Sequence, residues 1–157
     1  MGLTARQYFE AAREAARDAE RIGAQLAAIE ERALSTGGGL EGRVHATGEP
    51  DRIGRRVATM LDQTQRLELR REEDYRAIDA ACEMLYGEDN RGGLYALVGW
   101  PADAIYHHYL SLRTWPEVAR MMGYSERYLL ARVAWALDLM DANGQMWTRL
   151  GRGMAES

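Results

Sequence analysis

The residues with the clearest chemical potential lie between Arg113 and Arg132. Four arginines (113, 120, 127 and 132) stand there against Glu117 and Glu126, a basic focus in a chain whose net charge is −4. An arginine fork can take guanine O6 and N7 together or grip a phosphate. Arg127 and Arg132 are placed for either role, and Arg113 for a phosphate. Glu126 can accept from cytosine N4, and Ala131 can meet a thymine methyl. Thr114 and Ser125 fall where helices should start, so their hydroxyls and nearby N–H groups can hold phosphates. Tyr128 completes the outward set. This chemistry suits the edge and backbone of double-stranded DNA.

Such residues act only if two helices meet at a fixed angle. Thr114 and Glu117 have the spacing of a capping box, with Pro116 in the first turn, where a missing N–H costs nothing. Val118, Ala119 and Met122 share one face, and Gly123 can take the positive φ of a sharp exit. Tyr124 is expected as an apolar plug in the turn. Ser125 caps a second helix whose inner stripe is Leu129, Val133, Ala136, Leu137 and Met140. These constraints define a helix-turn-helix. Spacing alone leaves a plain helical hairpin equally open.

The remaining reactive types lack context. His107 and His108 are adjacent, so on a helix they point apart and cannot form an i, i+4 metal pair; half-buried polar roles are expected. His45 is isolated. Cys82, the single cysteine, lies in a helical pattern and reads as a small packed hydrophobe. Residues 86–93, YGEDNRGG, lack calcium-loop spacing and read as a plain linker. There is no glycine-rich phosphate loop after a strand, no strand pattern, and no supported nucleophile–base arrangement. No enzyme activity, metal or cofactor is expected.

The positioning elements are long helices. Thr4 and Gln7 form another capping box. From it Tyr8, Ala12, Ala15, Ala19, Ile22, Leu26, Ile29 and Ala33 alternate four and three apart, the seam of a coiled coil. The helix should span residues 4–34. Residues 35–50, with five glycines and Pro50, predict a loop. A second helix over residues 51–86 continues the seam through Ile53, Val57, Met60, Leu67, Ile78, Ala81 and Leu85, with Thr64, Arg71 and Asp74 as a polar middle. That middle either fixes register across the pair or marks where the helices part. Leu94, Tyr95, Leu97 and Val98 form a short turn, Trp100 should pack on the helix-turn-helix, and a helix starts near Asp103 with Ile105, Tyr109 and Leu112 along one side. Gly144 stops the last helix. Met146, Trp147 and Leu150 can dock one more turn, and disorder is expected beyond Gly151.

The segment SLRTWPEVARMMGYSERYLLARVAWAL resembles region 4 of bacterial sigma factors. It is more similar still to the small phage regulators of the RinA/ArpU type, through Tyr109, Leu110, Thr114, Trp115, Glu117, Val118, Ala119, Gly123, Ser125, Leu129, Ala136 and Leu137. The layout of helix, Gly-rich loop with GRV, and second long helix matches those regulators too. The resemblance implies a transcription regulator of phage late genes in a bacterial cytoplasm, binding DNA and touching RNA polymerase. The chain departs from the pattern at Leu130-Ala131, apolar where polar readers are common, and at Arg132, where an inward aliphatic is usual.

The expected fold is therefore all-α. A long antiparallel, coiled-coil-like hairpin (1–92) precedes a sigma-region-4-like helix-turn-helix bundle (93–144) and a tail (145–157). All 20 basic residues are arginine, and a second basic set, Arg43, Arg52, Arg55 and Arg56, flanks the Gly-rich loop. It is either a solvated loop or another contact for phosphates or an acidic partner. The long seams favour a homodimer. No apolar run approaches the ~18–20 residues of a membrane span, and no charged-then-apolar leader opens the chain. The competing expectation is a helical module that binds polymerase, a repressor or packaging machinery. Small terminase subunits also combine a helix-turn-helix with helical hairpins.

Overall fold

The structure is a computed structural model that describes residues 2–43 and 50–144, with the side chains of residues 36–43, 50 and 51 outside the description. The described residues are all helical apart from short turns and contain no strand. Six helices follow one another: α1 (Ala5–Arg43), α2 (Pro50–Tyr86), α3 (Gly93–Val98), α4 (Trp100–Ile105), α5 (Trp115–Met122) and α6 (Glu126–Asn143). α4 runs on into one wide π-helical turn, Tyr106–Leu110. No helix among the described residues is long and apolar enough to cross a membrane.

α1 begins as the capping box requires. The Thr4 N–H donates to Gln7 Oε1 at 3.0 Å, and the Gln7 N–H donates to Thr4 Oγ1 at 3.2 Å. Its C-terminal end differs from expectation. Residues 35–43, read as loop, are helical. Glycines cost a helix about 1 kcal/mol each but do not block it sterically, and no proline stands before position 50 to interrupt propagation. Residues 44–49, with Val44 and His45, lie outside the described residues, as do Met146, Trp147, Leu150 and the rest of the tail.

The chain divides into two compact units. One holds described residues 2–17 and 74–144. Its core joins Ala5, Phe9 and Ala12 of α1, Ala81 and Leu85 of α2, Leu94, Ile105, Tyr109 and Leu110, and the inner faces of α5 and α6. The buried residues of α1 here are Ala5, Phe9, Ala12 and Ala16. The expected seam runs beside this one, with Tyr8 and Ala15 half-buried and Tyr8 packed against the core. Both phases share Ala12, and the alanine content hid that Phe9, the single phenylalanine, is the better anchor. Phe9 is fully buried and its ring lies 5.8 Å from Tyr109.

Within this unit, two ties bring chain segments of distant number together. Asp141 Oδ1 accepts from the Ala5 N–H at 2.7 Å, so the last turn of α6 satisfies a free donor at the start of α1. Tyr86 donates its hydroxyl to Asp103 Oδ1 at 2.6 Å; burial, with that carboxylate beside it, pushes the phenol above its ordinary range. The linker between α2 and α3 closes on Gly93 at φ +68°, where an added Cβ would lie 2.5 Å from backbone atoms of Leu85 and Tyr86. Cys82 is half-buried against the core, and burial raises its thiol.

The second unit is Asp18–Glu73. Arg70 makes two hydrogen bonds to the Asp18 carboxylate, both 2.8 Å, tying α2 to α1. Ala19 and Ile22 are buried, and Leu26, Ile29, Ile53, Met60, Thr64, Leu67 and Arg71 are half-buried. The α2 seam holds at its expected positions with one exception: Val57 is 47% exposed. On α1, Ala33 is exposed, against expectation.

Candidate nucleic-acid interface

The turn between α5 and α6 is built as its residue types dictate. The Thr114 N–H donates to Glu117 Oε2 (3.4 Å) and the Glu117 N–H to Thr114 Oγ1 (3.3 Å). α5 exits through Gly123 at φ 76°, ψ 25°, the left-handed region that glycine enters without cost. The Tyr124 N–H closes on the Ala119 carbonyl at 3.0 Å. Ser125 then caps α6, its Oγ accepting from the Tyr128 N–H at 3.3 Å. All five expected inner residues of α6, Leu129, Val133, Ala136, Leu137 and Met140, are buried, as are Val118 and Ala119 of α5.

Burying that stripe fixes what α6 shows to solvent. At 100° per residue, Arg127 and Ala131 stand opposite it, with Tyr128 and Trp135 on one flank. Ser125, Glu126, Arg127, Tyr128 and Ala131 are exposed, and so are Arg113 and Thr114 at the entrance to α5. Arg132 is half-buried: its guanidinium lies 4.2 Å from the centre of the Trp135 ring, a cation–π contact. Arg132 therefore lies along its own helix instead of entering the core.

Tyr124 is not the buried plug expected of it. It is 37% exposed and lies flat on Trp100, ring centroids 4.2 Å apart at 18°. Val118, Ala119 and Leu129 are the buried residues beside the turn, and the Tyr124 ring packs on Trp100 instead. Tyr128 follows, 5.6 Å from Tyr124 and 6.0 Å from Trp100. Trp100 thus packs on the turn as anticipated. The three-ring cluster was not visible in the sequence, since Trp100 and Tyr124 meet only through the fold.

A second group supports the entrance to α5. His108 stacks on Trp115 with centroids 3.8 Å apart at 16°. Its Nδ1 lies 2.7 Å from the Arg113 carbonyl, so the neutral ring carries its proton on Nδ1 and donates it there. The Arg13 guanidinium donates to the His108 carbonyl. Burial pushes the imidazole down to about 4, with Arg13 and Arg17 adding repulsion and the Arg113 carbonyl opposing it. His108 is half-buried, and its role is to fix the backbone beside Arg113. Leu112, expected on the inner side of the helix, is half-buried just beyond it at φ 60°. The wide turn ends there, with Arg113 N–H donating to the His107 carbonyl at 3.0 Å.

Of the second basic set, Arg52, Arg55 and Arg56 are exposed on the first turns of α2 and belong to the unit Asp18–Glu73. Arg43 ends α1, and its side chain lies outside the description. Among the described residues, no group of three or more His, Cys, Asp or Glu could hold a metal ion. A scan against protein-family models, a search of curated proteins and a search of solved structures each find no match to this chain.

Proposed function

We propose that the chain is a DNA-binding transcription regulator of the phage type, acting through a helix-turn-helix made of α5 and α6. The observation that carries this reading is the division of α6. Leu129, Val133, Ala136, Leu137 and Met140 are consumed by the core, while the capped N-terminal end presents Ser125, Glu126, Arg127, Tyr128 and Ala131 to solvent. A helix held by its back with its N-terminal residues free is the geometry that enters a major groove. Arg127 is the reader of a base edge, and Arg113, Thr114 and Ser125 hold flanking phosphates. Arg132, laid over Trp135, is a weaker reader than its charge suggests. The resemblance to region 4 of sigma factors and to RinA/ArpU-type regulators supports the same reading and adds RNA polymerase as a second partner.

The test is selection of bound fragments from random double-stranded DNA with the full chain, followed by a salt titration on the enriched sequence. Each phosphate neutralised contributes about −0.9 to the log–log slope, and the arginines of this face allow about two to four per chain. Arg127→Ala should cost on the order of 1–3 kcal/mol and relax preference at one base pair. Recovery of no enriched sequence rejects the reading.

One observation favours a second reading, a protein-binding module. Met121, Tyr124, Tyr128, Leu130 and Trp135 are between 36% and 50% exposed. Aromatic and methionine side chains at this density suit a protein partner. Under that reading Tyr124→Ala abolishes partner binding and Arg127→Ala leaves it intact.

A further inference from the structure

We propose that the solvent-facing side of α2 in the unit Asp18–Glu73 is the docking surface for a second copy of this chain, packed antiparallel on the same face. This does not rest on the DNA-binding reading.

The unit cannot complete a core alone. Among its described residues, only Ala19 and Ile22 are buried hydrophobics. Two helices can bury one stripe each, and here even that stripe (Leu26, Ile29, Ile53, Met60, Leu67) is half-buried. With so small a core, a unit of fewer than ~60 residues is marginal.

A second stripe lies on α2, roughly a third of a turn round the helix from the first and sharing Val57 with the expected seam. Gly54, Val57, Ala58, Leu61, Gln65 and Leu69 recur at helical spacing, all exposed, with Val57 at 47%, Leu61 at 60% and Leu69 at 63%. Its apolar ends, Val57 and Leu69, lie equally far from residue 63. Laid antiparallel on itself, the stripe sets Val57 against Leu69 of the second copy, Leu61 against Gln65, and the two Leu61 side chains beside the two-fold axis. Gly54 leaves room for Glu72 of the second copy.

Charge selects the same occupant and direction. The first turns of α2 carry exposed Arg52, Arg55 and Arg56, and the later turns exposed Glu68, Glu72 and Glu73. Arg66 and Arg70 between them are paired within the chain, with Asp62 at 2.9 Å and Asp18 at 2.8 Å. An antiparallel copy brings Arg55 of each chain to the flank that holds Glu73 of the other, twice over by symmetry. A parallel copy sets like charges together. The face is complementary to itself in charge, as a two-fold interface requires.

The experiment is light scattering of the full chain at micromolar concentration. The expected mass is twice 17.7 kDa. Leu61→Glu should give the single-chain mass with unchanged circular dichroism, since Leu61 is 60% exposed and the fold does not need it. Arg55→Glu and Glu73→Arg should each weaken association by about tenfold or more, and the two together in one chain should restore it. A wild-type monomer overturns the proposal, as does a dimer that survives Leu61→Glu or a charge reversal that fails to restore association. Should Leu61→Glu perturb the fold, the charge-reversal set decides alone.

Discussion

Two glycines at nearly the same backbone angle should respond very differently to alanine. Gly93 has φ +68° and Gly123 has φ +76°. The conformational penalty of placing an L side chain there is about 1–2 kcal/mol in both cases. At Gly123 an added Cβ meets nothing within 4 Å, so the penalty is the whole effect. At Gly93 the same atom lands 2.5 Å from the Leu85 carbonyl carbon and the Tyr86 nitrogen and 2.6 Å from the Leu85 oxygen. These are backbone atoms at the end of α2 and cannot rotate aside. Relief requires α3 to move away by roughly 1 Å, which costs about 1–3 kcal/mol as overpacking does elsewhere. That movement also strains the Gly92 N–H bond to the Tyr86 carbonyl, now 2.9 Å, worth about 1 kcal/mol, and lifts Leu94, now fully buried. Gly93→Ala should therefore lose on the order of 3–5 kcal/mol and Gly123→Ala about 1–2 kcal/mol. Urea unfolding followed by far-ultraviolet circular dichroism measures both. Equal losses within about 0.5 kcal/mol would refute the reasoning, because they would mean that the backbone approach at Gly93 is not rigid.

Three further expectations follow from named contacts. His108 resists its proton in the fold down to about 4, against 6.5 when exposed. Its stabilising effect is therefore complete above about pH 6.5 and is lost as pH falls toward 4, by roughly 1–2 kcal/mol after discounting for water around the half-exposed ring; His108→Phe should flatten the stability curve in that window alone. Tyr86→Phe removes the 2.6 Å bond to Asp103 and should cost about 1–3 kcal/mol by chemical denaturation, whereas Tyr95→Phe, on an exposed ring, should cost almost nothing. Asp141→Ala should cost about 1–2 kcal/mol by leaving the buried Ala5 N–H unsatisfied, and Asp141→Asn, which keeps an acceptor oxygen, should recover most of it by the same assay.

What could be read in advance was local. The caps at Thr4, Thr114 and Ser125 depend on residues three apart, and all three form. The inner stripe of α6 is set by one helix's period, and all five members are buried. Readings failed where several local solutions competed. The α1 seam could run through Tyr8 or through Phe9, and residues distant in sequence, Tyr109 among them, are what bury Phe9. Glycines at 37–39 are permissive in both directions, so composition misread helix as loop. A turn needs an anchor, and Tyr124 finds it in Trp100, a half-buried ring at the edge of the core, rather than in the interior. Arg13 and His108 carry no local signal, because they meet only through the fold, Arg13 donating to the His108 carbonyl while the His108 ring reaches the Arg113 carbonyl.

The three described tryptophans each sit beside a different side chain in or around the α5–α6 region. Trp100 is stacked on Tyr124, Trp115 on His108, and Trp135 beneath the Arg132 guanidinium. The molecule thereby carries its own optical reporters. Lifting Tyr124 exposes the Trp100 indole to water and reddens its emission. Protonating His108 places a quencher on Trp115, so acid titration of that one band follows a single imidazole. Drawing Arg132 toward a phosphate uncovers Trp135. Single-tryptophan variants can then separate, without any added dye, a partner that lands on the aromatic cluster from one that lands on the arginines.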